Sequence, residues 1–96
     1  METQVEYRVI TWRELAGWLD EKRDMIIVDT LPEEQYRRIH LPGAENACVY
    51  QVTFLDRMAS LVPDQGRTVV VYGSSERSLD ALFAAEKLVR AGYRNV

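Results

Sequence analysis

The chain has one cysteine, Cys48, and one histidine, His40. A lone cysteine excludes an intrachain disulfide. Cys48 and His40 together are too few for a structural zinc site, which takes four ligands. No metal and no cofactor is therefore expected. Long apolar runs are also missing: none approaches the roughly 20 residues that a membrane helix needs. Charge of one sign is absent too. Twelve Lys and Arg stand interspersed against fifteen Asp and Glu, a formal net charge of -3. That balance excludes the basic stripe of a general nucleic-acid binder. Neither Gly-x-Gly-x-x-Gly nor Gly-x-x-x-x-Gly-Lys occurs, which removes the usual nucleotide loops. The opening Met1-Glu2-Thr3-Gln4-Val5-Glu6 is polar and acidic, without the basic-then-apolar order of a signal peptide. With sparse cysteine, this pattern leads to an expectation of a cytoplasmic protein.

What is present is a soluble composition, 47% hydrophobic and 28% charged over 96 residues, enough for one small domain with a thin stability margin. Strand and helix patterns alternate. Tyr7-Arg8-Val9-Ile10 reads as a short strand. Thr11-Trp12-Arg13-Glu14 is a capping box that opens a helix to Leu19, with Leu15, Trp18 and Leu19 on one face. Met25-Ile26-Ile27-Val28 reads as a fully buried parallel strand. Pro32 suits the first turn of a helix over Glu33 to Arg38. After the Pro42-Gly43 turn, Ala44 to Val49 reads as a short strand. Val52 to Leu61 reads as a helix with Phe54, Leu55, Met58 and Leu61 inward, stopped by Pro63. Thr68 to Tyr72 is a further buried strand. A helix then runs from about Ser78 to Ala91, with Ala81, Ala84, Ala85 and Leu88 inward and Gly92 as its stop. Asn95-Val96 begins another strand.

This alternation implies an α/β fold with a mostly parallel sheet covered on both faces. Ligands on such sheets bind beyond the carboxyl ends of the strands, which puts Asp29-Thr30, Cys48 and Gly73 to Ser78 on one edge. The most informative stretch is Val69 to Ser78. A β-branched run ends in a small polar loop, and a helix follows directly. Such a junction aims backbone N–H groups at one point and suits an anion. The first loop residue, where a nucleophile would stand, is Gly73.

Four blocks in order resemble the rhodanese homology domain: Val28 to Tyr36, His40-Leu41-Pro42-Gly43-Ala44-Glu45-Asn46, Val70-Val71-Tyr72, and Ala91-Gly92-Tyr93-Arg94-Asn95-Val96. The resemblance implies a three-layer sandwich around a five-stranded parallel sheet. It also implies a sulfurtransferase ancestry and a place in sulfur metabolism, with a loop cysteine carrying a persulfide. The chain departs from that pattern at Gly73, which replaces the cysteine, and at Leu31, which replaces an arginine. The pattern's last strand and closing helix are missing after Val96. The expectation is one rhodanese-like domain over residues 1–96, truncated at its C-terminus or cut from a longer polypeptide, with an exposed edge and apolar face where the last strand is lost.

Sulfur transfer needs a thiolate. Gly73 offers no side chain, and Ser74 and Ser75 lack a base to activate them. The expectation is a pseudoenzyme: a vestigial loop of Gly73, Ser74, Ser75, Glu76, Arg77 and Ser78 that binds a small anion, or a module for a protein partner or fused domain. Arg77 and the serines favour an anion; Glu76 opposes it. The alternative is an active sulfurtransferase with Cys48 as a displaced nucleophile, against the plainer reading of Cys48 as a small buried hydrophobe. A phosphatase is a third reading, which needs the same absent loop cysteine. His40 reads as a turn-bonding residue rather than a proton carrier. Asp29 reads as a strand-end residue bonded to loop backbone or an arginine rather than a catalytic acid. No membrane or nucleic-acid partner is expected.

Overall fold

A computed structural model describes residues 7–75 and 79–96. Its elements in chain order are α1 (Trp12–Asp20), β1 (Ile26–Asp29), α2 (Glu33–Arg38), β2 (Glu45–Asn46), α3 (Phe54–Leu61), β3 (Val69–Tyr72) and α4 (Asp80–Ala91). The three strands form one parallel sheet in the order β2-β1-β3. Each strand is followed by a helix, as parallel crossovers require.

Local chemistry sets the helix limits. Thr11 caps α1 through a complete capping box. Its side chain accepts from Glu14 N at 3.1 Å while the Glu14 carboxylate accepts from Thr11 N at 3.3 Å. Such a cap contributes about 0.5–2 kcal/mol. Pro32 stands immediately before α2, where its missing N–H costs nothing. Gly92 ends α4 in the left-handed conformation, φ +112°, which admits glycine without strain.

Apolar residues pack on both faces of the sheet, more fully on one than on the other. Val28 and Val69 join Ala47, Val49, Phe54, Met58, Val62, Ala84, Leu88 and Tyr93 in the larger core beneath α3 and α4. Ile27 and the half-buried Val70 and Tyr72 join Leu15 and Ala44 in a smaller core on the α1 side. Strand residues alternate between the two, as the pleat dictates. The observed layers are those of an α/β sandwich.

Several expectations need correction. Residues 7–10 are not a strand: the segment is tied by one backbone bond, Arg8 N to Val96 O. Asn95-Val96 likewise has no strand ladder and is held by Val69 N donating to Asn95 O. A single bond on each side is too little pairing for a strand. The segment expected over Ala44 to Val49 pairs with β1 only at Glu45 and Asn46, because the chain then turns into the 47–50 loop. Leu55 is 41% exposed rather than inward, and Leu19, at helical spacing with the buried Leu15, is 41% exposed too. Each short helix buries one narrow stripe, and these two positions lie on its rim. The five-stranded sheet that the resemblance implied is three-stranded among the described residues. The expected start of the last helix near Ser78 falls outside those residues.

Candidate functional site

The register of the sheet brings three chain segments to one edge. Asp29 stands opposite Asn46 on one side and Tyr72 on the other. The carboxyl ends of all three strands therefore meet where the sequence places Asp29-Thr30, the Cys48 loop and Gly73.

Thr30 knits these segments together. Its N–H and its hydroxyl both donate to the Tyr72 carbonyl, at 3.0 and 2.9 Å, and its own carbonyl accepts from Val49 N at 3.1 Å. Asp29 is almost wholly buried. Oδ1 accepts from Leu31 N at 2.8 Å, and Oδ2 has no donor in hydrogen-bonding geometry among the described residues. The Asp29 charge is felt at Tyr72. There, burial chiefly, and then Asp29, push the phenol up to about 12 against a lowering contribution from the Leu41 N–H it accepts. Asp29 thus holds the loop after β1. His40 follows α2, exposed, stacked on the Tyr36 ring at 3.9 Å, with Nδ1 donating to the Tyr36 carbonyl. The structure gives His40 a turn-holding contact.

Cys48 is 8% exposed, in the loop after β2 between buried Ala47 and Val49. Three side chains strap this loop down. Lys87 Nζ of α4 donates to the Val49 carbonyl at 2.9 Å, Arg57 Nε of α3 donates to the Asn46 carbonyl at 3.2 Å, and the Tyr50 hydroxyl donates to Asp80 Oδ1. Of two clefts lined by described residues, neither is lined by Cys48. One of about 280 Å³ runs past Tyr50, Phe83 and Lys87, and one of about 480 Å³ lies between residues 7–12 and β3.

At the loop after β3, Gly73 and Ser75 border the larger cleft. Ser74 is held by Asp80: its N–H and hydroxyl donate to Asp80 Oδ2 at 3.4 and 3.3 Å. Glu76, Arg77 and Ser78 lie outside the described residues. Asp80 and Tyr50 escaped the sequence reading. The available signal was an acid in the first turn of a helix after a small polar loop, a placement the helix dipole favours. Tyr50 carried no signal, since its partner is 30 residues away. Its phenol is pushed up chiefly by that bond to Asp80.

Among the described residues no group of three or more His, Cys, Asp or Glu could hold a metal, and no helix is long and apolar enough to cross a membrane. The family model of the rhodanese-like domain matches residues 11–96. No curated protein matches the chain.

Proposed function

This chain belongs to the rhodanese-like domain family, and we propose that within it the chain is a binding module without thiosulfate sulfurtransferase turnover. One observation carries the reading: the residue that opens the loop after β3 is Gly73, so the position from which a persulfide would project holds no sulfur. A serine without a base does not replace a thiolate.

Cys48 does not fill the gap well. A sulfur nucleophile works from an accessible, electropositive position. Cys48 is packed between two buried neighbours, in a loop fastened at both ends. Of the two binding roles, a protein partner or fused domain fits better than a free anion. The Ser74 donors are already engaged by Asp80, while the cleft beside β3 presents Ile10, Trp12, Leu15, Val70, Tyr72 and Leu82. Apolar surface rimmed by charge is the common mark of an interaction site; here the rim is Arg8 and Arg23 stacked over Trp18.

The test is thiocyanate formation from thiosulfate and cyanide, with wild type and Cys48→Ser side by side. Both are expected to match the protein-free rate. Enzymatic turnover by the wild type that disappears in Cys48→Ser establishes the alternative, a sulfurtransferase with its persulfide on Cys48.

A further inference from the structure

We infer that the cleft between β3 and residues 7–12 is a slot one strand wide, and that it takes an extended apolar segment of a partner protein, laid parallel to β3. The inference rests on the binding reading above and names the shape of the partner.

The width of the slot is read from Asn95 and Val96. On one wall, Val69 N of β3 donates to the Asn95 carbonyl at 2.9 Å; on the other, Arg8 N donates to the Val96 carbonyl at 3.0 Å. Two successive carbonyls thus point to opposite sides, as they do in an extended strand. The walls stand two ladder spacings apart, roughly 5 Å each, with room between them for one chain. Both walls continue past Val96. The Trp12 ring meets Tyr72 edge-on at 5.8 Å, so residues 8–12 run alongside β3 to its end, around a cleft of about 480 Å³.

The chemistry of the β3 wall selects the occupant. Toward β1, the Thr68 and Tyr72 carbonyls accept from Ile26 N and Thr30 N. Alternation along a parallel ladder turns the backbone groups of Val69 and Val71 to the other side, and the Val69 bond to Asn95 agrees. Among the described residues no strand pairs with β3 on that side. The Val71 N–H and carbonyl are therefore a template for a strand, and an extended peptide matches their repeat where a helix does not. Apolar groups wait on both faces of the slot. Val96 packs with the core beneath α4, Ile10 with the core on the α1 side, and Leu15 and Leu82 border the cleft. A strand covered on both faces is apolar at every position. At the rim, the Arg8 and Arg23 guanidinium groups over Trp18 favour acidic residues flanking that segment.

The experiment is amide hydrogen exchange of the full chain by NMR, with and without the peptide acetyl-Glu-Val-Ile-Val-Ile-Glu-amide. In the free chain the Val70 and Tyr72 amides, turned toward β1, are expected to exchange slowly and the Val71 amide faster. The peptide is expected to slow Val71 saturably, by at least about tenfold. The same peptide N-methylated through its apolar stretch keeps the apolar surface but cannot form the ladder, and is expected to leave Val71 unchanged. A Val71 amide as slow as Val70 in the free chain overturns the inference. So does a Val71 amide that millimolar peptide leaves unchanged, or that the N-methylated peptide slows equally. Slowing that rises with protein concentration and without peptide gives the slot to a second copy of the chain, and overturns the inference too. Thiocyanate formation would defeat the non-catalytic reading without touching this result, and a failed exchange experiment would leave that reading standing.

Discussion

Tyr72 shows how much one residue can carry at the end of a strand. Its carbonyl accepts both Thr30 donors, its ring meets Trp12 edge-on at 5.8 Å, and its hydroxyl accepts from Leu41 N at 3.0 Å. It therefore ties β3 to β1, to α1 and to the turn before β2. Its phenol ionises near 10.0 in a free chain and is pushed up to about 12 in the fold. Between those values the unfolded chain gives up a proton that the folded one keeps. Its contribution is therefore complete below pH 10.0 and falls away as pH rises toward about 12. Tyr72→Phe keeps the ring but leaves Leu41 N–H without its acceptor. Urea denaturation near neutral pH is expected to show a loss of about 1 kcal/mol. The same measurement above pH 10 is expected to show a shallower decline than wild type; an identical decline would mean that Tyr72 is not the titrating group.

At the scale of elements, the legible parts were those whose signal is local. The capping box at Thr11, the proline before α2 and the apolar run of β1 each announce themselves within four or five residues, and each stands within a residue or two of where the pattern puts it. The stop of α4 at Gly92 belongs with them. A Cβ built there would lie 2.8 Å from Gln65 Oε1, in a backbone conformation that side chains rarely adopt. Gln65 also caps α4 by donating to the Ala91 carbonyl at 3.1 Å. Gly92→Ala is thus expected to cost about 1–3 kcal/mol in chemical denaturation; an unchanged midpoint would show that the C-cap has room to relax. What was not legible depends on pairing. Residues 7–10 and 44–49 have strand-like composition, yet a strand exists only where a neighbour supplies a ladder, and composition does not say where the neighbour stops. The rims of α1 and α3 failed for a related reason. Leu19 and Leu55 fit the helical period, but the width of the buried stripe is set by what packs against it.

At the scale of the whole molecule, the sheet edge was legible and its chemistry only in part. The rule that ligands gather beyond the carboxyl ends of parallel strands points to Asp29, Thr30, Cys48 and Gly73 to Ser78, and the register sets Asp29 between Asn46 and Tyr72 at that edge. It could not reveal that Tyr50 donates to Asp80, 30 residues away, while Asp80 accepts from Ser74. Long-range polar contacts of this kind leave no period and no spacing in a single sequence. The resulting picture is a rhodanese-like scaffold whose strand ends are intact, whose loop holds an internal carboxylate, and whose one sulfur nucleophile is buried on a different loop. Intact mass spectrometry of the native chain after incubation with excess thiosulfate probes that picture at its centre. The account predicts an unchanged mass; a gain of one sulfur atom, mapped to Cys48, would contradict it.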